Sequence, residues 1–445
     1  MAFRINCLRL LPWAALCLVA TVSPLAAQTA TAPTTLTLAG ALARGRSSGI
    51  QAALARLSAQ GAVLHGQELG AAKLPQVTSA VTVERQTVNL HEFGISIPGF
   101  PPVTDPFTLF RARIGASQTI FDPALSERLR AARDTAVAAG LDAQQAGELG
   151  AAAAGAAWLR VASAQETLNA RTDDSVTAFA LLDIANSQVD AGTSPRIDRT
   201  RSETQAAAVR TQIAVARNQL ARARLDLARA VDLPAAVPVQ IDSTAAFVSD
   251  SMPSDLEAAI ALARSKRLDL AAELQRQAVL QRGLQAIRNE FIPTVGASGY
   301  AQTSGTDLSD DMRGTWNIGV ALSWSIFDGY RRKRREDEQR VRLDAEGLRL
   351  HDLEAQIDVE VREAALDVAS SHDQVVLAGD RVRLAEEELS EARERFQAGV
   401  AGSVETTNAQ AELSAARDVL IQARLSAGAA QVSAARALGL LDQVH

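Results

Sequence analysis

The chain has 445 residues, 47% hydrophobic and 22% charged, with a net charge of −6. Charged residues are too frequent, and apolar ones too interspersed, for a multi-pass helical membrane protein, and the acidic balance argues against a nucleic-acid binder. Five His and two Cys leave little for a metal centre, and the 14 prolines are too few for general disorder.

Residues 1–27 read as an export signal. Arg4 and Arg9 form a basic start, Leu10 to Val22 an apolar run too short to span as a helix, and Ala26-Ala27 a small-residue cleavage site. Both cysteines, Cys7 and Cys17, fall inside this segment, and Leu16 before Cys17 disfavours lipidation. The mature chain then carries no thiol and needs no oxidative folding.

The remainder repeats. A shift of 218 residues lays Leu38 on Leu256 and Pro75 on Pro293; a shift of 206 lays Ile120-Phe121-Asp122 on Ile326-Phe327-Asp328. A shift of 207 lays Ala191-Gly192 on Ala398-Gly399 and Ala228-Arg229-Ala230 on Ala435-Arg436-Ala437. Three blocks in one order at nearly one offset mark an internal duplication. The first repeat covers residues 28–233, a linker 234–254, and the second repeat 255–445. The fold of the linker is not legible from its sequence.

Each repeat reads as helix, strand, loop, strand, long helix, turn, helix. Strands are expected at about 76–90 and 107–121, and at about 294–303 and 315–327. From Trp316 to Ile326 the even positions are bulky and apolar and the odd ones small and polar, the period of a strand with two unlike faces. Proline is absent from Ala124 to Ser194 and from Thr294 onward, which permits very long helices. A helix from about Ala124 to Asp190 would be on the order of 100 Å long. That length suits a rod that spans a distance, in a bundle or coiled coil.

Strands of this length can cross a membrane as a tilted barrel. Four cannot close one, and an open edge in lipid leaves backbone groups unsatisfied, so other copies of the chain must complete it. Phe107, Tyr300, Trp316 and Trp324 lie in or beside the strands, where a girdle facing outer-membrane lipid would place them; a soluble β-sandwich core is the alternative. The run Arg331 to Arg335 reads as a solvated helix start balanced by Glu336, Asp337 and Glu338, or as a contact for anionic headgroups. Gly45-Arg46-Ser47-Ser48-Gly49 has the letters of a nucleophile elbow but lacks the preceding strand. No catalytic, cofactor or metal constellation emerges.

Taken together, Leu36-Thr37-Leu38, Leu74-Pro75, the two Ile-Phe-Asp strand ends, the Gly192 and Gly399 turns and the closing Ala435-Arg436-Ala437-Leu438-Gly439 resemble the TolC family of outer-membrane efflux proteins. The resemblance implies a mixed α/β membrane protein. Three copies would join four transmembrane strands each into a twelve-strand barrel, continued by a long α-helical barrel of coiled coils through the periplasm. It implies a passive duct in the outer membrane of a Gram-negative-type bacterium, serving a tripartite efflux or type I secretion system. Its partners would be further copies of itself, a periplasmic adaptor and an inner-membrane transporter, with no nucleic acid and no cofactor. Gly192, Thr193, Ser194, Gly399, Val400 and Ala401 would form the tip that docks the adaptor. Asp198, Glu405 and Asn408 would line the constriction, Glu405 as a ring carboxylate and Asn408 as a neutral second ring position. Asp198 matches a carboxylate that the family ties to an aromatic hydroxyl, but Phe396 stands at the hydroxyl's position, so gating needs other contacts, for which Arg196 is a candidate. Another class remains in a periplasmic coiled-coil adaptor, which should carry a lipoyl-like β domain. A closed single-chain porin would need at least eight strands.

Overall fold

The computed structural model describes residues 34–95, 98–99, 101–242, 253, 255–307 and 312–443. The signal segment lies outside these residues, as does most of the linker beyond Asp242. A short strand β1 (Thr34–Leu36) leads into α1 (Leu38–Ser48) and α2 (Ile50–Ala71). Strands β2 (Gln76–Gln86) and β3 (Phe107–Phe121) follow, then α3 (Pro123–Asp190), α4 (Arg196–Ala230) and the strand β4 (Val239–Ile241). The second repeat gives α5 (Leu256–Lys266), α6 (Leu268–Asn289), β5 (Thr294–Gly305), β6 (Arg313–Ser323), α7 (Arg331–Gln397) and α8 (Ser403–Ala437). The duplication therefore holds element for element. Each repeat opens with two helices rather than one, because the chain leaves helical geometry at Gly49 and again at Arg267.

The long helices have the expected extent: α3 has 68 residues and α7 has 67, each about 100 Å at 1.5 Å per residue. Asp122 caps α3 by accepting the Leu125 N–H at 2.8 Å, with Pro123 in the first turn, where its missing donor costs nothing. Near the strands α3 packs against α2 and α6; towards the far end it packs against α4 and α8, and α7 runs along α6 and α8. The result is a wall one helix thick, closed mainly by alanine. Ala151, Ala154, Ala157 and Gly155 let α3 approach α1 closely, and buried Trp158 donates its indole N–H to the Leu36 carbonyl at 2.8 Å. A Cβ at Gly45 would lie 2.5 Å from both Ala154 Cβ and the Gly150 carbonyl oxygen. The Gly45-to-Gly49 run is thus a helix–helix crossing, with the Ser47 hydroxyl spent on the Ala43 carbonyl.

Two of the expected features lie differently. Strand β2 stops at Gln86 instead of about residue 90, and Leu90–Phe93 form a 3₁₀ turn ended by Gly94 at φ +70°. The returning chain carries Pro101, Pro102 and Pro106, which have no N–H to donate to a ladder. Strand β6 stops at Ser323, short of the Trp324-to-Phe327 stretch, because its last partner on β5 is Thr294, preceded by Pro293. The linker contributes β4, which pairs in parallel with β1 and ties the end of the first repeat to its start. Replacing Gly45 by Val should destabilise the helical wall by about 1–3 kcal/mol through overpacking against backbone, read as a lower unfolding temperature with unchanged helicity.

Candidate channel-forming surfaces

Strands pair in the order β2-β3-β5-β6, all antiparallel, so β2 and β6 are edges with one side unpaired. Side chains alternate across a strand, and the register sorts them sharply. One face carries Val77, Val81, Val83, Ile114, Trp316, Ile318, Val320 and Leu322, from 56% to 79% exposed. The opposite face carries Thr78, Thr82, Arg111, Arg113, Ser298, Gln302, Thr315 and Asn317. A sheet that presents a broad apolar face to its surroundings needs an apolar solvent or partner.

The four aromatic residues expected in one girdle do not share a face. Trp316 stands on the apolar side. Tyr300, opposite Asn317, stands on the polar side, where the Arg113 guanidinium lies 3.7 Å from its ring centroid. Phe107, opposite Gln86, falls on the polar side too. Trp324 lies beyond β6 and donates its indole N–H to the Phe291 carbonyl at 3.0 Å. The alternation of β6 was legible, but which face a residue of β5 shares with it depends on interstrand register, which the separate strand patterns do not specify.

At the junction of sheet and helices the basic run is only partly solvated. Arg332 is buried: it stacks on Phe291, binds Asp328 at 2.9 Å and donates to the carbonyls of Glu290, at 2.8 Å, and Ser325. Arg335 pairs with Glu290, and Lys333 with Asp337 at 3.1 Å, whereas Arg331 and Arg334 are exposed. The sequence offered no signal for this, since every residue of the run is alike in composition and only one fits inside the turn.

At the other end, Gly192 and Gly399 adopt φ +75° and +71°. In both turns the N–H groups of the glycine and of its successor return to the helix. Gly192 and Thr193 donate to Val189 and Gln188, and Gly399 and Val400 to Phe396 and Arg395, the Schellman arrangement that favours glycine. Gly192, Thr193, Gly399 and Val400 are exposed, Ser194 and Ala401 half-buried, and Ile197 and Val404 add apolar surface beside them. Those last two occupy matching positions in the repeat, the signal by which they were recognisable.

Asp198 does not stand free. It is 4% exposed and accepts the Ser194 hydroxyl at 2.6 Å and that of Ser403 across from α8. Burial would raise its pKa, but those hydrogen bonds, helped by Arg201, outweigh it and hold the carboxyl below the usual range. The aromatic ring of Phe396 is buried against Leu181 and Ala185, and its carbonyl accepts the Gln188 amide at 2.7 Å. Hydrogen bonds from Gln188 to Phe396 and from Ser403 to Asp198 therefore join the tips of the two repeats, and the exposed Arg196 side chain takes part in none of these. Glu405 pairs with Arg395 at 3.1 Å and stays exposed, with Asn408 exposed one turn further.

Replacing Asp198 by Asn should loosen the tip by about 1.5–3 kcal/mol, the scale of hydrogen bonds to a charged group, seen as faster amide exchange over 195–205. Because the folded carboxyl titrates below its unfolded value, its contribution is present above about pH 4 and lost as pH falls through the folded value. Relative to the intrinsic amide rate at each pH, acid should therefore lower protection in the unaltered chain and leave that of the Asn variant unchanged.

Residues 259–440 match the sequence profile of the outer membrane efflux protein family. No curated protein matches the chain. Among solved structures it is similar to CusC, studied for transmembrane channel formation, at 18% identity and a TM-score of 0.77 over 90% of this chain and 92% of that one. The outer membrane channel CmeC of Campylobacter jejuni gives 15% and 0.77 over 90% and 85%. The outer membrane protein VceC of Vibrio cholerae gives 15% and 0.75 over 90% and 96%. These likenesses span both repeats and set aside the adaptor alternative. The second repeat carries the profile of the outer membrane efflux protein family, and the fold of these channels is shared across nine-tenths of the chain.

Proposed function

We propose that three copies of this efflux protein form a passive duct through the outer membrane, continued by their helices through the periplasm. The observation that carries this reading is the four-stranded sheet, with its apolar face exposed and both edges unpaired, set on rods of about 100 Å. In lipid an unpaired edge costs several kcal/mol per backbone group, so β2 of one copy must meet β6 of the next. Four strands per chain and three copies give twelve. The helical wall would close in the same operation, since α2 leads into β2 and α7 follows β6.

The tip turns, with Gly192, Thr193, Ser194, Gly399, Val400 and Ala401, would dock a periplasmic adaptor, aided by exposed Ile197 and Val404. Glu405 and Asn408, accessible on one side of α8, would face the narrowing lumen, whereas Asp198 would act inside the wall as a latch between repeats. Energy would come from an inner-membrane transporter reached through the adaptor, and the duct itself would perform no chemistry.

The mass of the mature protein, extracted from outer membranes in mild detergent, tests the assembly. About three times the chain mass is expected, and a soluble monomer would overturn the reading. Ile318→Arg, at the lipid-facing centre of β6, should cost about 2–4 kcal/mol and reduce membrane assembly, while Asn317→Arg on the opposite face should assemble normally. In planar bilayers, Glu405→Ala should lower cation selectivity; unchanged selectivity would remove Glu405 from the constriction.

A further inference from the structure

We propose that the polar face of the sheet lines the outer half of the duct with an arginine belt that takes anionic solutes on their way out. The proposal rests on the duct reading above and adds the chemical class of what passes. Within the four strands the polar face carries three arginines, Arg111, Arg113 and Arg313, against one acid, Glu84. The apolar face carries a single charge, Arg85, in the last turn of pairing before the loop.

Register sets the three arginines in two adjacent rows. Arg111 is opposite Thr82 and Ser304, and Ser304 is opposite Arg313, so Arg111 and Arg313 share a row two strands apart, about 10 Å at the usual strand spacing. Arg113, opposite Ala80 and Gln302, heads the next row, about 7 Å nearer the helices. Glu84 lies one row nearer the loops and meets Arg111 at 3.7 Å. That pair offsets one arginine, and among the described residues Arg113 and Arg313 have no acid partner.

The Arg113 guanidinium lies over Tyr300, 3.7 Å from the ring centroid. The stack holds the cation against the wall with its edge donors free, the geometry that suits carboxylate, phosphate or sulfonate oxygens. Repeated by three copies, the two rows encircle the lumen. A passage lined by one sign of charge raises the local concentration of counter-ions by about ten-fold or more. Beyond the strands the connecting loops carry the acids Glu92, Asp105, Asp307, Asp310 and Asp311. A fold needing these arginines only for structure would pair each with an acid, as it does for Arg111.

The test is block of ion current by sodium tripolyphosphate, with the full mature protein in planar bilayers at about 0.1 M KCl, where screening leaves the field effective. Tripolyphosphate should block the unaltered duct. Block should weaken about ten-fold or more in the Arg111→Gln, Arg113→Gln, Arg313→Gln triple variant and persist in Arg113→Lys with Arg313→Lys. Should the triple variant not assemble, Arg313→Gln alone, on an edge strand, should weaken block in the same direction. Equal block in a conducting Gln variant, or a conducting duct that tripolyphosphate leaves open, would overturn the belt. Absence of any conductance would instead overturn the duct reading on which it rests.

Discussion

Unpaired backbone on β2 and β6 is the constraint from which the rest of the architecture follows. In water those edges would be hydrated at little cost, but they border an exposed apolar face made of Val81, Ile318, Val320 and Leu322, and in the lipid that such a face suits they would go unsatisfied. Within the described sheet neither edge has a further strand to pair with, because the chain leaves β2 and β6 for helices at one end and for connecting loops at the other. Association is then part of folding. The apolar face, the polar face and the two edges are a single design: each strand supplies one side chain to the apolar face and the next to the polar one.

The helices meet a different demand. Beyond the core around Trp158, their long contacts rest on close approach and on charge pairing between neighbours. Alanine and glycine along α3 permit the approach, as the Gly45–Gly150 crossing shows. Arg276 with Asp142, Arg264 with Asp358 and Arg381 with Glu412 then tie adjacent helices along the exposed surfaces. Individually such exposed pairs contribute little, and their number matters more than any one of them. At both ends of the rods the pairing becomes buried and specific: Arg332 fixes the turn from β6 to α7, and Asp198 with Ser403 fixes one repeat's tip to the other.

The tip departs from what the family resemblance implies. With Phe396 in place of a hydroxyl-bearing ring, the aromatic side chain turns into an apolar cluster and its backbone carbonyl takes over a hydrogen bond. Asp198 is then satisfied by two serines. The carboxylate stays ionised because those hydroxyls and Arg201 outweigh the effect of burial, so the cross-link persists at neutral pH without any aromatic partner.

The sequence by itself determined the duplication, the two long rods, the glycine turns and the alternation of β6, since each is written in local pattern: offset, absence of proline, a positive-φ requirement, a period of two. Strand β3 begins and ends where its pattern does. Where β2 and β6 stop, which face Tyr300 and Phe107 occupy, the pairing of β1 with β4 and the burial of Arg332 and Asp198 were decided only by tertiary structure. Each of these depends on a partner distant in the chain. A strand ends when its neighbour runs out of donors, a face is assigned by register against another strand, and a charge is buried only where a surrounding turn has already supplied its hydrogen bonds.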